Sequence, residues 1–194
     1  MPSALILLAE GTEESEFTIT YDVLVRGGVK VSSVLVPCGE NDGSKGYVTC
    51  SRGVKILADL KLEDVVQHSD RYSSLILPGG LKGANTFSKD EKVLGLVRDM
   101  YGKGKVVAFI CAGSLAAKAA GIGKGKSITS HPSVKEKLEE EYDYKEERVV
   151  VDGNLITSRG PGTTFGFALA LVEALQGKEE RDKIEGPMVL PEKL

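Results

Sequence analysis

The chain of 194 residues has no tryptophan, two histidines and three cysteines. Cys38, Cys50 and Cys111 are odd in number, form no C-x-x-C pair and show no zinc-ligand spacing. A disulfide framework and a structural zinc site are therefore not expected, and a reducing compartment is. No apolar run approaches the roughly 18 residues of a membrane-spanning helix. The run near the N-terminus, Ala4 to Ala9, has no basic flank and is too short for a signal-peptide core. A basic excess is also missing: the net charge is −3, which argues against a nucleic-acid binder resting on a basic face. Nucleotide fingerprints are absent too. GLKGAN and GIGKGK do not match a P-loop, and no G-x-G-x-x-G follows the first strand. The expectation is no cofactor, no metal, no nucleic acid, no membrane, and a cytoplasmic location with the nucleus as an alternative.

What is present is an ordinary globular composition, 41% apolar and 27% charged, with glycine high at 23 residues. One domain over 1–194 is expected. Short apolar runs alternate with helical stretches. Ala4 to Ala9, VKVSSVLV, Ser73 to Pro78 and Lys105 to Ile110 read as strands buried on both faces. Helices are expected from an N-cap at Thr12 to Arg26, over LEDVV, from Ser88 to Tyr101, over SLAAKAA, from Ser133 to Glu141, and from Thr163 to Gln176. CGENDGSKGYVTCSRGVKIL and RVVVDGNLITS read as hairpins, the latter around Asp152-Gly153. MVLPEKL is expected to pack at one edge. The alternation implies an α/β fold with a mostly parallel sheet and helices on both faces.

The sharpest chemical feature is VVAFICAGSLAAKAA. A buried strand ends, Cys111 sits at the junction, and small residues open a helix. That is the setting of a nucleophile elbow, where the amides of Ala112 and beyond face an anion and the helix start lowers the thiol pKa. Phe109 replaces the first glycine of the usual pattern, so a buried structural cysteine stays an alternative. Gly79 and Gly80 allow amides to approach a ligand as an oxyanion hole needs, or form a plain turn. His131, before Pro132, is either a partner for Cys111 or a helix cap. Periodicity does not select among Glu10, Glu13, Glu14 and Glu16, and Asp22 further along that helix is available to orient a histidine.

ALILLAEGTEESE, LILPGG, AFICAGSLAA, ITSHP and LITSRGPGT, in this order, closely resemble the ThiJ/PfpI superfamily. The nearest branch is the Parkinson-disease-associated deglycase and glyoxalase III type, and the likeness covers Ala4 to about Leu190. The resemblance implies a flavodoxin-like three-layer sandwich and a homodimer. It implies an oxidation-sensitive nucleophile at Cys111, a proton-sharing glutamate at Glu16 and a cleft histidine at His131. Backbone donors map onto Gly79 or Gly80 and onto Ala112. Asp22 would orient the histidine. Arg52 and Arg159 match basic positions, Arg52 lining an anion site near the dimer surface. Cys50 matches a peripheral cysteine, whereas a second peripheral redox cysteine falls on Leu57. The implied activity is a glutathione-independent glyoxalase acting on small 2-oxoaldehydes, turning methylglyoxal into lactate through a cysteine hemithioacetal and an enediol, with deglycase activity on glycated protein. The alternative is an oxidative-stress sensor or redox-regulated chaperone using the same cysteine. A cysteine peptidase is disfavoured, because His131 has no sequence-local orienter.

Overall fold

The computed structural model describes residues 1–191 apart from Glu40 and Asp42. The chain runs β1 (Ser3–Leu8), α1 (Glu14–Arg26), β2 (Lys30–Leu35), β3 (Tyr47–Thr49), β4 (Lys55–Leu57) and β5 (Leu60–Lys61). It continues through α2 (Leu62–Val66), β6 (Ser74–Leu77), α3 (Leu81–Phe87), α4 (Glu91–Gly102), β7 (Val106–Ile110) and α5 (Leu115–Ala120). The last third holds β8 (Ser127–Ile128), β9 (Asp143–Tyr144), β10 (Val149–Asp152), β11 (Leu155–Ser158), α6 (Thr164–Gln176) and α7 (Lys178–Glu185).

Seven strands form the main sheet in the order β10-β11-β7-β6-β1-β2-β5. Every neighbouring pair is parallel except the β10–β11 hairpin at one edge. The central strands are continuously apolar because the sheet has a core on each face. In β1, Leu5 and Leu7 enter one core while Ala4, Ile6 and Leu8 enter the other. In β7, Val107 and Phe109 face the first and Ala108 and Ile110 the second. Helices α2 to α5 cover the first face through residues such as Phe87, Val97 and Ala117. Helices α1, α6 and α7 cover the other through Phe17, Leu24, Phe167 and Val172. This is the flavodoxin-like three-layer sandwich.

Several boundaries differ from expectation. Glu13, not Thr12, caps α1, its carboxylate accepting from the Glu16 amide at 2.7 Å. Thr12 turns inward instead, and its hydroxyl accepts from the Ala9 amide at 3.0 Å. Residues 81–87 form a helix of their own, and Asp90 caps the next one. The charged stretch after Ser133 forms only a short 3₁₀ turn, Pro132–Lys137. Of the C-terminal MVLPEKL, Met188 and Leu190 pack against the α1–α6 core, and residues 192–194 lie outside those described.

Candidate active site

Parallel strands β1, β6 and β7 end side by side, and the loops leaving them converge. The first loop enters α1. The Glu13 cap fixes the helix start so that Glu16, one turn in, points under the sheet end and is fully buried. The second loop is Pro78-Gly79-Gly80. Its Gly79 amide donates to Glu16 Oε2 at 2.7 Å, while its carbonyl accepts from the Glu13 amide at 3.0 Å. The third is the junction of β7 with a 3₁₀ turn, Cys111–Ser114, that runs on into α5.

Cys111 has a φ of +62°, in the left-handed region that side chains other than glycine's seldom occupy. The bend turns its half-buried sulfur toward the other two loops, where the amides of Ala112 and Gly80 favour its charged form. Glu16 lies close to the same sulfur, and its buried Oε1 has no hydrogen-bond partner. Crowding dictates the glycines here. A Cβ on Gly79 would stand 2.6 Å from Cys111 Cβ and 2.7 Å from Glu16 Oε2. At Gly80, with φ +81°, it would stand 2.1 Å from the Gly11 carbonyl oxygen. Gly79→Ala is therefore expected to cost about 1–3 kcal/mol of stability and to slow iodoacetamide capture of Cys111. Urea unfolding and timed mass spectrometry read the two effects. An unaltered midpoint with unaltered capture would mean the loop yields without cost.

The electrostatics tie oxygen and sulfur together. Burial pushes the Glu16 carboxyl up to about 7, against the pull of the Gly79 amide and the Cys111 thiol. Burial, followed by the Glu16 charge, pushes Cys111 up to about 12, while the Ala112 and Gly80 amides pull it down. The expectation of a thiol acidified by the helix start is thus corrected. The amides act in that sense, but burial and the ionised carboxyl outweigh them. Two such neighbours titrate as a pair. The first proton leaves near neutrality, and from there into alkali one proton and one negative charge are shared between them.

His131 reaches this cluster through its backbone, its amide donating to the Cys111 carbonyl at 3.4 Å. Its ring caps the Pro132 turn: Nδ1 accepts from the Ser133 amide at 3.2 Å and lies 2.8 Å from the Ser133 hydroxyl. Ser133 was expected only to open a helix; its contact with the ring comes from the cap that His131 forms there. His131 also lines a shallow cavity of about 360 Å³ with Arg148, Arg159 and Gly160.

A model of the DJ-1/PfpI family matches residues 2–174. The chain belongs to this family. It is 46% identical over 188 residues to Protein DJ-1alpha of Drosophila melanogaster, covering 96% of this chain and 83% of that one. It is 36% identical over 196 residues to the glutathione-independent glyoxalase DJ-1 of Schizosaccharomyces pombe (strain 972 / ATCC 24843), covering 98% and 100% of the two. The crystal structure of Drosophila melanogaster DJ-1beta superposes with a TM-score of 0.90 at 41% identity over 98% of each chain.

Within this DJ-1/PfpI chain the site residues named from sequence fall into two groups. Cys111, Glu16, Gly79, Gly80, Ala112 and the His131 backbone come together. Gly79, however, commits its amide to Glu16, so the donors left at the sulfur are Gly80 and Ala112. Asp22 does not orient His131: it pairs with Arg26 at 2.6 Å on the exposed side of α1. Arg52 sits on the β3–β4 hairpin, its amide donating to Glu14 Oε1 at 2.7 Å. Arg159 Nη1 donates to the Glu146 carbonyl at 2.6 Å. Cys50 is buried, and burial with the charges of Glu14, Glu13 and Glu10 pushes its thiol up to about 12. Leu57 is exposed. Among the described residues all three cysteines are free, no cluster of His, Cys, Asp or Glu could hold a metal ion, and no helix is long and apolar enough to cross a membrane.

Proposed function

We propose that the protein is a glutathione-independent glyoxalase that converts methylglyoxal and water to lactate. The observation carrying this reading is the buried Glu16 carboxyl against the sulfur of Cys111, with two amides aimed at that sulfur. The family and the glyoxalase among its relatives agree with it. An aldehyde is a strong electrophile and a thiolate a strong nucleophile. Cys111 sulfur bonds to the aldehyde carbon, the carbonyl electron pair moves to oxygen, and the proton shared with Glu16 passes to that oxygen. The product is a hemithioacetal, with the amides of Gly80 and Ala112 stabilising the negative charge as it forms. Glu16, now a carboxylate, removes the hydrogen from the former aldehyde carbon. The resulting enediolate takes that proton from Glu16 at the neighbouring carbon, while the hydroxyl proton on the sulfur-bearing carbon passes to the neighbouring oxygen. This leaves a lactoyl thioester on Cys111, which water cleaves to lactate and the free thiol. The hydride-level change is internal to the substrate, so no outside oxidant or reductant enters. Hemithioacetals and aminocarbinols on glycated protein present the same carbon to the same sulfur, which extends the reading to a deglycase.

A carboxyl near 7 suits the shuttle, because it both gives and takes a proton at working pH. The test is methylglyoxal consumption with glutathione rigorously absent and lactate as the measured product. A freshly reduced protein that makes no lactate ends this reading. The functional unit proposed is a homodimer. Its contact would cover the groove of about 390 Å³ between α1 and β4, where Val25 and Leu57 are 51% and 73% exposed. Sedimentation at the mass of one chain would remove the dimer.

A further inference from the structure

We infer that Ser133 is a positioning residue that fixes His131 as its Nε2–H tautomer, making the imidazole a neutral hydrogen-bond donor to the substrate and not a base for Cys111. The inference rests on the glyoxalase reading for the identity of the substrate oxygen, but not for the tautomer. A backbone amide can only donate. Because the Ser133 N–H points at Nδ1 over 3.2 Å, Nδ1 carries the lone pair and the ring proton of the neutral imidazole sits on Nε2. The Ser133 hydroxyl, 2.8 Å from the same nitrogen, is then a second donor. The rest of the residue is held as firmly. The His131 amide is tied to the Cys111 carbonyl, and its own carbonyl accepts from the buried Ser130 hydroxyl at 3.0 Å. That hydroxyl in turn pairs with Tyr144 Oη at 3.0 Å.

The chemical consequence is direct. In hydrolases where histidine activates a nucleophile, Nδ1–H donates to a carboxylate and Nε2 is the free acceptor. Here the polarity of the ring is reversed. Asp22, the carboxylate the sequence offered for that role, is paired with Arg26. Nδ1 is capped by donors and Nε2 already holds its hydrogen, so neither nitrogen is free to deprotonate a thiol. Proton transfer between the substrate carbons falls to Glu16 alone. His131 is left to donate from Nε2 to the oxygen on the neighbouring carbon as the enediolate forms, keeping its proton throughout. Enediolate-forming isomerases divide labour in the same way, with a carboxylate base and a neutral imidazole donor.

Two histidines make the test clean. In a His68→Gln background, long-range ¹H–¹⁵N correlation of the imidazole reports the His131 tautomer without any turnover. The expected spectrum is the Nε2–H form; an Nδ1–H form or an even mixture overturns the proposal. Ser133→Ala is expected to lower kcat for methylglyoxal about 3- to 10-fold with KM unchanged, and Ser133→Thr to restore it. The Ser133 amide survives both substitutions, so equal kcat in Ser133→Ala and Ser133→Thr overturns the positioning role of the hydroxyl, and the spectrum decides the tautomer. Ser133→Asp, which sets an acceptor against Nδ1, is expected to move the ring toward Nδ1-protonated forms and lower kcat further. A parent protein inactive toward methylglyoxal but showing the Nε2–H spectrum would defeat the glyoxalase reading alone and leave the tautomer assignment standing.

Discussion

Cys111→Ala is expected to lower glutathione-free methylglyoxal turnover roughly 10³-fold or more, to the level of bound but unactivated substrate. The size follows from what the sulfur does. It forms the only covalent bond to substrate in the proposed sequence, and every later step takes place on the adduct. The two amides and Glu16 remain after the substitution, so substrate capture and carbonyl polarisation persist without a nucleophile. The measurement is lactate formation by parent and variant side by side, with circular dichroism to confirm that both are folded. Retention of even a tenth of parental activity would place the chemistry on another atom, and neither Cys50 nor any other group in the described structure has this setting.

Glu16→Gln carries the second large effect, an expected loss of about 10²–10⁴-fold in kcat. The amide is nearly isosteric and still accepts from Gly79, so the loop geometry is kept while the proton shuttle is lost. Two pH signatures distinguish this from simple damage. The parent should be alkylated by iodoacetamide faster as pH rises through about 7, where the pair gives up its first proton. In the variant the charge that raises Cys111 is gone, and a single sulfur titration should lie below about 12. Stability supplies the other signature. The folded carboxyl holds its proton up to about 7, against 4.5 for the free group. Between those values the folded state binds more protons than the unfolded chain, so stability falls as pH rises through the window. Glu16→Gln should flatten that slope. A slope unchanged in the variant would mean that another group produces it.

The central strands were legible because a two-sided core demands unbroken apolar runs, and β1, β6 and β7 supply them. Both hairpins were legible from their turn residues. Helix α3 was not, because LKGANTF carries a glycine that reads as a loop. Its reason is tertiary: a Cβ on Gly83 would stand 2.9 Å from Thr12 Oγ1. The helix expected over Ser133–Glu141 matched charge pattern alone, and only Val134 of its 3₁₀ segment Pro132–Lys137 is buried. At the site, the strand–cysteine–helix junction singled out Cys111, and the resemblance supplied Glu16. No local pattern reveals that Gly79 serves the carboxyl, that Asp22 faces away, or that burial outweighs the amides at the thiol. Each depends on which loops meet, a matter of sheet order and not of spacing.

The left-handed backbone at Cys111 sets the fold's own preference against the residue it displays. Such a conformation costs a side-chain-bearing residue roughly 1–2 kcal/mol that glycine is spared. Glycine at this position would relieve that strain and would lose the packing of the Cys111 side chain against both cores. On the proposed function it is the chemistry of the thiol, and not the preference of the backbone, that calls for a cysteine here.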